Sequence, residues 1–151
     1  MKILIIDDSN AKITALSDVV LDLFPDCKVV TRRSFHSGLK ELESGLYSLV
    51  LLDMTVPTTE RDDGRFEGRI RHFGGRELLG EMELLSCSSK AIVVTQFDRI
   101  DDGIEVIEFD DLARELRDTF SDSLIGTVFY SSISVGWVDE IKKLIRGHFC
   151  I

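Results

Sequence analysis

The chain has 151 residues, 44% of them apolar and 30% charged, a balance that suits one folded domain with a sizeable core and excludes a disordered chain. Its net charge of −9, from 27 acidic and 18 basic residues, would be repelled by a phosphate backbone, so no nucleic-acid binding is expected of this chain alone. The apolar opening Met1 to Ile6 is too short for a signal peptide and runs straight into Asp7-Asp8, no stretch reaches membrane-spanning length, and Cys27, Cys87 and Cys150 are an odd count without metal-ligand spacing. These features predict reduced thiols, a cytoplasmic location and no membrane partner.

The elements alternate along the chain. Lys2 to Asp7 is an almost purely apolar run, as expected of a strand buried on both faces. Ser9 or Asn10 caps a helix to about Phe24, with Ile13, Leu16, Val20 and Leu23 at helical spacing and Pro25 as its stop. Lys28 to Thr31 is a second strand. Ser34 caps a second helix carrying Phe35, Leu39 and Leu42 and ended by Gly45. Tyr47 to Leu52 is a third buried strand, ending at Asp53. Met54 to Gly75 is predicted as a long charged loop holding Arg61, Asp62, Asp63, Arg65, Glu67, Arg69 and Arg71; loops of this length are functional or mobile. It is read either as a solvated, self-neutralising segment or as a partner-docking lid. A third helix follows from about Arg76 to Leu85, and a fourth strand from Ala91 to Thr95. A helix with Leu112, Leu116 and Phe120 on one stripe is capped by Asp110 or Asp111, and Ile104 to Phe109 before it is open between strand and helix. Thr127 to Tyr130 is the fifth strand, and Trp137 to Ile145 the last helix.

Strand and helix in alternation demand a parallel sheet covered on both faces. Ligands of such sheets sit beyond the carboxyl ends of the strands. The residues there are Asp7-Asp8, Asp53, Thr95-Gln96 and Ser131-Ser132, groups suited to a metal or a phosphate. Three carboxylates gathered in one pocket repel one another, and a hard divalent cation with oxygen ligands, such as magnesium, relieves that repulsion.

Several segments resemble the receiver domains of response regulators. Ile3-Leu4-Ile5-Ile6-Asp7-Asp8-Ser9 is similar to their opening, and Leu49 to Pro57, with its proline four residues after Asp53, to their phosphoacceptor segment. Gly74-Gly75-Arg76-Glu77-Leu78-Leu79 resembles the start of their third helix, and Ile92-Val93-Val94-Thr95 their fourth strand. The resemblance runs from Met1 to Asp53, resumes at Gly74 after the insertion and fades beyond Thr95. It implies a single doubly wound domain over 1–151, a five-stranded parallel sheet in the flavodoxin-like order 2-1-3-4-5 with helices on both faces, and an insert at about 54–75. By the same resemblance Asp53 is the phosphoacceptor, Asp8 assisted by Asp7 holds Mg2+ together with Asp53 and the main-chain carbonyl of Thr55, and Thr95 is the switch hydroxyl. The implied partners are a histidine kinase or related ATPase upstream and an unidentified protein downstream. The chain is expected to be a stand-alone signalling domain and not an enzyme beyond self-phosphorylation and self-dephosphorylation.

One part of the family pattern is missing. Receivers carry a lysine at the end of the fifth strand, whereas this strand reads Thr127-Val128-Phe129-Tyr130-Ser131-Ser132. Ser132, or Ser131 under a one-residue shift, is assigned the lysine's place. An arginine of the insert (Arg61, Arg65 or Arg69) is the candidate for the missing charge. Two rival readings remain: a phosphorylation-independent pseudo-receiver, and, below it, a magnesium-dependent phosphohydrolase. A haloacid-dehalogenase-like site is disfavoured because the second position after Asp7 is Ser9. Dinucleotide binding is disfavoured because no glycine-rich turn follows the first strand. His36, His72 and His148 are scattered.

Overall fold

In the computed structural model, which describes residues 1–150, fourteen elements follow the chain: β1 (Lys2–Ile6), α1 (Asn10–Leu23), β2 (Lys28–Arg32), α2 (Phe35–Ser44), β3 (Leu49–Leu52), β4 (Val56–Glu60), β5 (Phe66–Arg71), α3 (Gly74–Leu84), β6 (Lys90–Thr95), β7 (Arg99–Asp101), β8 (Val106–Glu108), α4 (Phe109–Thr119), β9 (Leu124–Phe129) and α5 (Gly136–His148). The main sheet is five-stranded and parallel, in the order β2-β1-β3-β6-β9. Numbering its strands alone gives 2-1-3-4-5, the expected order. Among the described residues no helix is long and apolar enough to cross a membrane.

Side-chain alternation along the strands explains the two layers. Leu4, Ile6, Val50, Leu52, Ala91 and Val93 face one side, where Phe35 and Leu42 of α2, Leu78, Leu79 and Met82 of α3, and Leu112 and Leu116 of α4 cover them. Ile3, Ile5, Leu49, Leu51, Ile92 and Val94 face the other, under Leu16, Val19 and Val20 of α1 and Ile141 and Ile145 of α5. With both faces buried, β3 can be apolar at every position, and β1 at every position after Lys2, and they are.

The caps follow the sequence signals where a hydroxyl was available. Ser9 Oγ accepts from the Lys12 N–H at the start of α1, and Ser34 and Ser37 form a reciprocal capping box on α2, which Gly45 closes. At α4 the expectation is corrected. Glu108 is the N-cap and makes no side-chain cap bond, while Asp110 and Asp111 lie inside the first turn, where their charge meets the positive end of the helix dipole.

The expected loop over 54–75 is largely a β-hairpin. β4 and β5 pair antiparallel, from Val56 against Arg71 to Glu60 against Phe66, so the main-chain groups satisfy one another. The turn holds Gly64 at φ 85°, a left-handed conformation that costs glycine nothing. Arg61 pairs with Glu67 at 3.2 Å and Arg65 with Asp63 at 3.1 Å, so the charges do neutralise one another. The hairpin is tied to the body: Glu60 Oε1 accepts from the Ser37 hydroxyl at 2.8 Å and from the Arg33 N–H at 3.3 Å. In the segment left open at 104–109, Ile104 and Glu105 lie in the turn before β8, Val106–Glu108 form β8 and Phe109 starts α4; β8 pairs antiparallel with β7.

Candidate functional site

β1 and β3 are neighbours in register, Ile6 beside Leu52. The residues that follow them, Asp7 and Asp53, therefore emerge together at the carboxyl end of the sheet, and the Asp53 N–H still donates to Ile6 O at 3.0 Å. Asp8 is half-buried beside them, and each of the three carboxylates offers one oxygen within 4.8 Å of the others. Asp7 is 1% and Asp53 3% exposed. Asp7 Oδ1 accepts from the Ser9 N–H at 2.9 Å, and Asp53 Oδ1 from the Met54 N–H at 2.8 Å. Burial pushes the Asp53 carboxyl up to about 7; the Lys12 ammonium opposes that shift, while the charges of Asp7 and Asp8 add to it. Burial, with Asp7 beside it, also raises Asp8.

The cation missing from the sequence reading is Lys12. Its side chain is 1% exposed, and its Nζ lies 2.7 Å from Asp7 Oδ2 and 3.4 Å from Asp53 Oδ1. The same ammonium donates to the Val94 carbonyl at 2.5 Å. Asp7 Oδ2 accepts no hydrogen bond among the described residues, so its contact with Lys12 is an ion pair without hydrogen-bond direction. Lys12 stands one helical turn before Leu16 and two before Val20, on the buried stripe of α1. That spacing is its trace in the sequence, a lysine on a core-facing position five residues after Asp7; it marks burial, not the partner.

The other expected residues divide. Thr95 is fully buried at the end of β6, where its Oγ1 accepts from the Phe97 N–H at 3.3 Å and its carbonyl from the Tyr130 N–H at 2.8 Å. Thr55 is half-buried and donates its hydroxyl to His72 O at 2.9 Å. Ser132 is exposed, beyond the end of β9. The buried side chain just beyond β9 is Tyr130, whose ring centroid is 5.6 Å from Lys12 Nζ. Among the described residues none of Arg61, Arg65 and Arg69 is ion-paired with the three aspartates, and the first two are engaged within the hairpin. A second cation that the sequence reading passed over is Arg33, whose Nη2 donates to the Asp8 main-chain carbonyl at 3.1 Å while its guanidinium stands over Phe66 of the hairpin at 4.9 Å.

No protein-family model matches the chain. The Detocs response regulatory protein DtcB of Enterobacter cloacae (strain JD6301) is 28% identical, over 95% of this chain and 98% of its own length. Among solved structures, the signal receiver domain of a putative Luxo repressor protein from Vibrio parahaemolyticus superposes with a TM-score of 0.63, at 16% identity over 97% of this chain and 88% of that one. The response regulator protein TrrA from Thermotoga maritima, in complex with Mg2+-BeF, gives 0.54 at 22% identity over 95% and 97%. The strand order and these likenesses agree, and the chain has the fold of response-regulator receiver domains.

Proposed function

We propose that the chain accepts a phosphoryl group on Asp53 and passes the signal on by protein–protein contact. The observation that carries this reading is the convergence of Asp7, Asp8 and Asp53 within 4.8 Å at the carboxyl ends of β1 and β3. A carboxylate oxygen of Asp53 attacks the phosphorus of a donor, a phosphohistidine of a histidine kinase or related ATPase, or a small acyl phosphate. The new P–O bond forms as the bond from phosphorus to the donor's leaving atom breaks. Attack by water on the same phosphorus later releases inorganic phosphate and restores the carboxylate. Thr95, buried at the end of β6, is the hydroxyl that would hydrogen-bond the transferred group.

Magnesium fits the donor set. The three carboxylates are hard oxygen ligands, and Asp7 Oδ2 is buried without a hydrogen bond among the described residues. Asp8, Asp7, Asp53 and the main-chain carbonyl of Thr55 would hold it. Bound there, the ion supplies positive charge to the phosphoryl oxygens. Because Asp7 is already engaged by Lys12 and Ser9, Asp8→Asn is expected to weaken magnesium binding more than Asp7→Asn, measured by calorimetric titration. The function itself is tested by incubation with acetyl phosphate and magnesium, followed by intact mass. The parent is expected to gain one phosphoryl group and Asp53→Asn none. Full labelling of Asp53→Asn would remove Asp53 as the acceptor.

A further inference from the structure

Lys12 is an expensive residue where it stands. It lies in the first turn of α1, where the helix dipole is positive and a cation is disfavoured. It is 1% exposed, so four methylenes and an ammonium have left water and lost their rotamer freedom. Core packing would be served by leucine or methionine at this point of the stripe. A buried charge is kept only where it is paired, and here the pairing is directed: the ammonium reaches Asp7 at 2.7 Å and Asp53 at 3.4 Å, anchored by the Val94 carbonyl at 2.5 Å. Among the described residues it is the one basic side chain ion-paired with Asp53. Just beyond β9 the buried side chain is Tyr130, and its ring lies beside the same ammonium, 5.6 Å away.

Resting on the reading of Asp53 as the acceptor, we propose that Lys12 of α1 is the cation that faces the phosphoryl oxygens on Asp53, supplied from a helix in place of a strand-end lysine. In the free protein the ammonium offsets part of the negative charge of Asp7 and Asp53. When Asp53 attacks the donor, negative charge moves outward from its carboxylate to the phosphoryl oxygens. The Lys12 ammonium, 3.4 Å from Asp53 Oδ1, follows that charge and makes its hydrogen bond there. It neither gives nor takes a proton; the P–O bond to Asp53 and the departing donor group account for all bonds made and broken. An ammonium to an anionic oxygen is a charge-assisted bond, roughly twice as strong as the hydroxyl contact a serine would make. The family role of the missing lysine is therefore carried by α1. Phosphorylation would pull on α1 instead of on the end of β9, and Tyr130, whose ring lies 4.9 Å from that of Trp137 of α5 at a 52° tilt, would lose its cation neighbour.

The experiment follows acyl-phosphate formation by intact mass, with acetyl phosphate and magnesium, in the parent, Lys12→Gln, Lys12→Arg and Asp53→Asn. Magnesium affinity is measured by calorimetric titration and folding by circular dichroism. Lys12→Gln is expected to label about 10²-fold more slowly or worse, and Lys12→Arg to keep more of the rate. Magnesium affinity of Lys12→Gln should be unchanged or tighter, because the ammonium no longer competes for Asp7 and Asp53. A loss of magnesium binding in parallel with the loss of rate would mean a merely structural role and overturn the proposal. Labelling of Lys12→Gln at the parental rate, with Asp53→Asn silent, would overturn it while leaving Asp53 as the acceptor. A parent that does not label would remove the Asp53 reading and this proposal with it. Because Lys12→Gln could fail to fold, the parent is also observed directly. With lysine side chains isotopically labelled, the Lys12 ammonium resonance, identified by its loss in Lys12→Arg, should shift on adding beryllium fluoride with magnesium. A resonance that stays in place while the phosphoryl mimic binds would refute the assignment.

Discussion

At the scale of single residues, the Asp53 carboxylate is destabilised by its burial. Its carboxyl is pushed up to about 7, chiefly by burial, with Asp7 and Asp8 adding to the shift against Lys12. An unfolded aspartate titrates near 4, so between about 4 and 7 the folded state binds more protons than the unfolded one. Stability from this group therefore falls as pH rises through that window. The protein without metal is expected to be less stable at pH 8 than at pH 5 on this account, by on the order of a few kcal/mol, and to melt lower. Asp53→Asn, which keeps the shape and removes the charge, should flatten that slope and raise the melting temperature at pH 8. A thermal melt series with and without magnesium decides it, and an unchanged slope in Asp53→Asn would assign the effect elsewhere.

At the scale of elements, the start of α3 is pressed against the site. A Cβ on Gly75 would lie 2.5 Å from the Asp53 carbonyl and 3.0 Å from both Leu52 Cδ1 and Met54 Cα, and the Gly75 N–H donates to Met54 O at 2.9 Å. Backbone cannot give way as a flexible side chain can, so Gly75→Ala should destabilise by roughly 1–3 kcal/mol. Gly80 in the same helix has open space around its Cα. There alanine should stabilise by up to about 1 kcal/mol through helix propensity. Urea unfolding of the two variants makes a matched pair; equal effects would mean that the helix moves freely against β3. The β7–β8 hairpin is held differently. Arg76 of α3 reaches Glu105 at 3.0 Å and Glu115 of α4 at 3.0 Å. The side chains are 27% and 41% exposed, so solvent screening limits the loss in Arg76→Ala to about 1 kcal/mol, with faster amide exchange expected in Val106 to Glu108. The sequence showed the charges of the 54–75 insert but not its strands. A hairpin built on Thr58, Thr59 and Glu60 against Glu67, Arg69 and Arg71 lacks the apolar alternation by which strands are read.

At the scale of the whole molecule, the two helical layers have different duties. α1 and α5 cover one face and α2, α3 and α4 the other. Lys12 and Asp8 lie on and beside α1, whereas the insert meets the body through α2 and Arg33. The fold is carried by these two apolar layers, not by a metal. Chelation of divalent cations is therefore expected to leave the secondary structure intact and lower the melting temperature only modestly, since Lys12 already neutralises part of the cluster without any ion. Circular dichroism in excess chelator provides the check, and cooperative loss of helix on chelation would contradict it.

The sequence by itself determined the five strands of the main sheet and the five helices in their chain order, the caps at Ser9 and Ser34, and the emergence of Asp7, Asp8 and Asp53 at strand ends. All of these follow from local periodicity and from the rule that a buried parallel sheet opens its ligand site at the carboxyl edge. Which cation meets those carboxylates was decided by the tertiary structure. Lys12 is bonded to Val94, 82 residues away along the chain, and no local pattern encodes a contact of that separation. Counting along the family's motif led instead to Ser132, which stands exposed, while the buried side chain just beyond β9 is Tyr130. The physical reason is that charge balance in a buried pocket is a property of everything that packs into it. One ammonium must lie within a few ångströms of the aspartates, and the chain can supply it from any element whose buried face reaches them; here that element is α1.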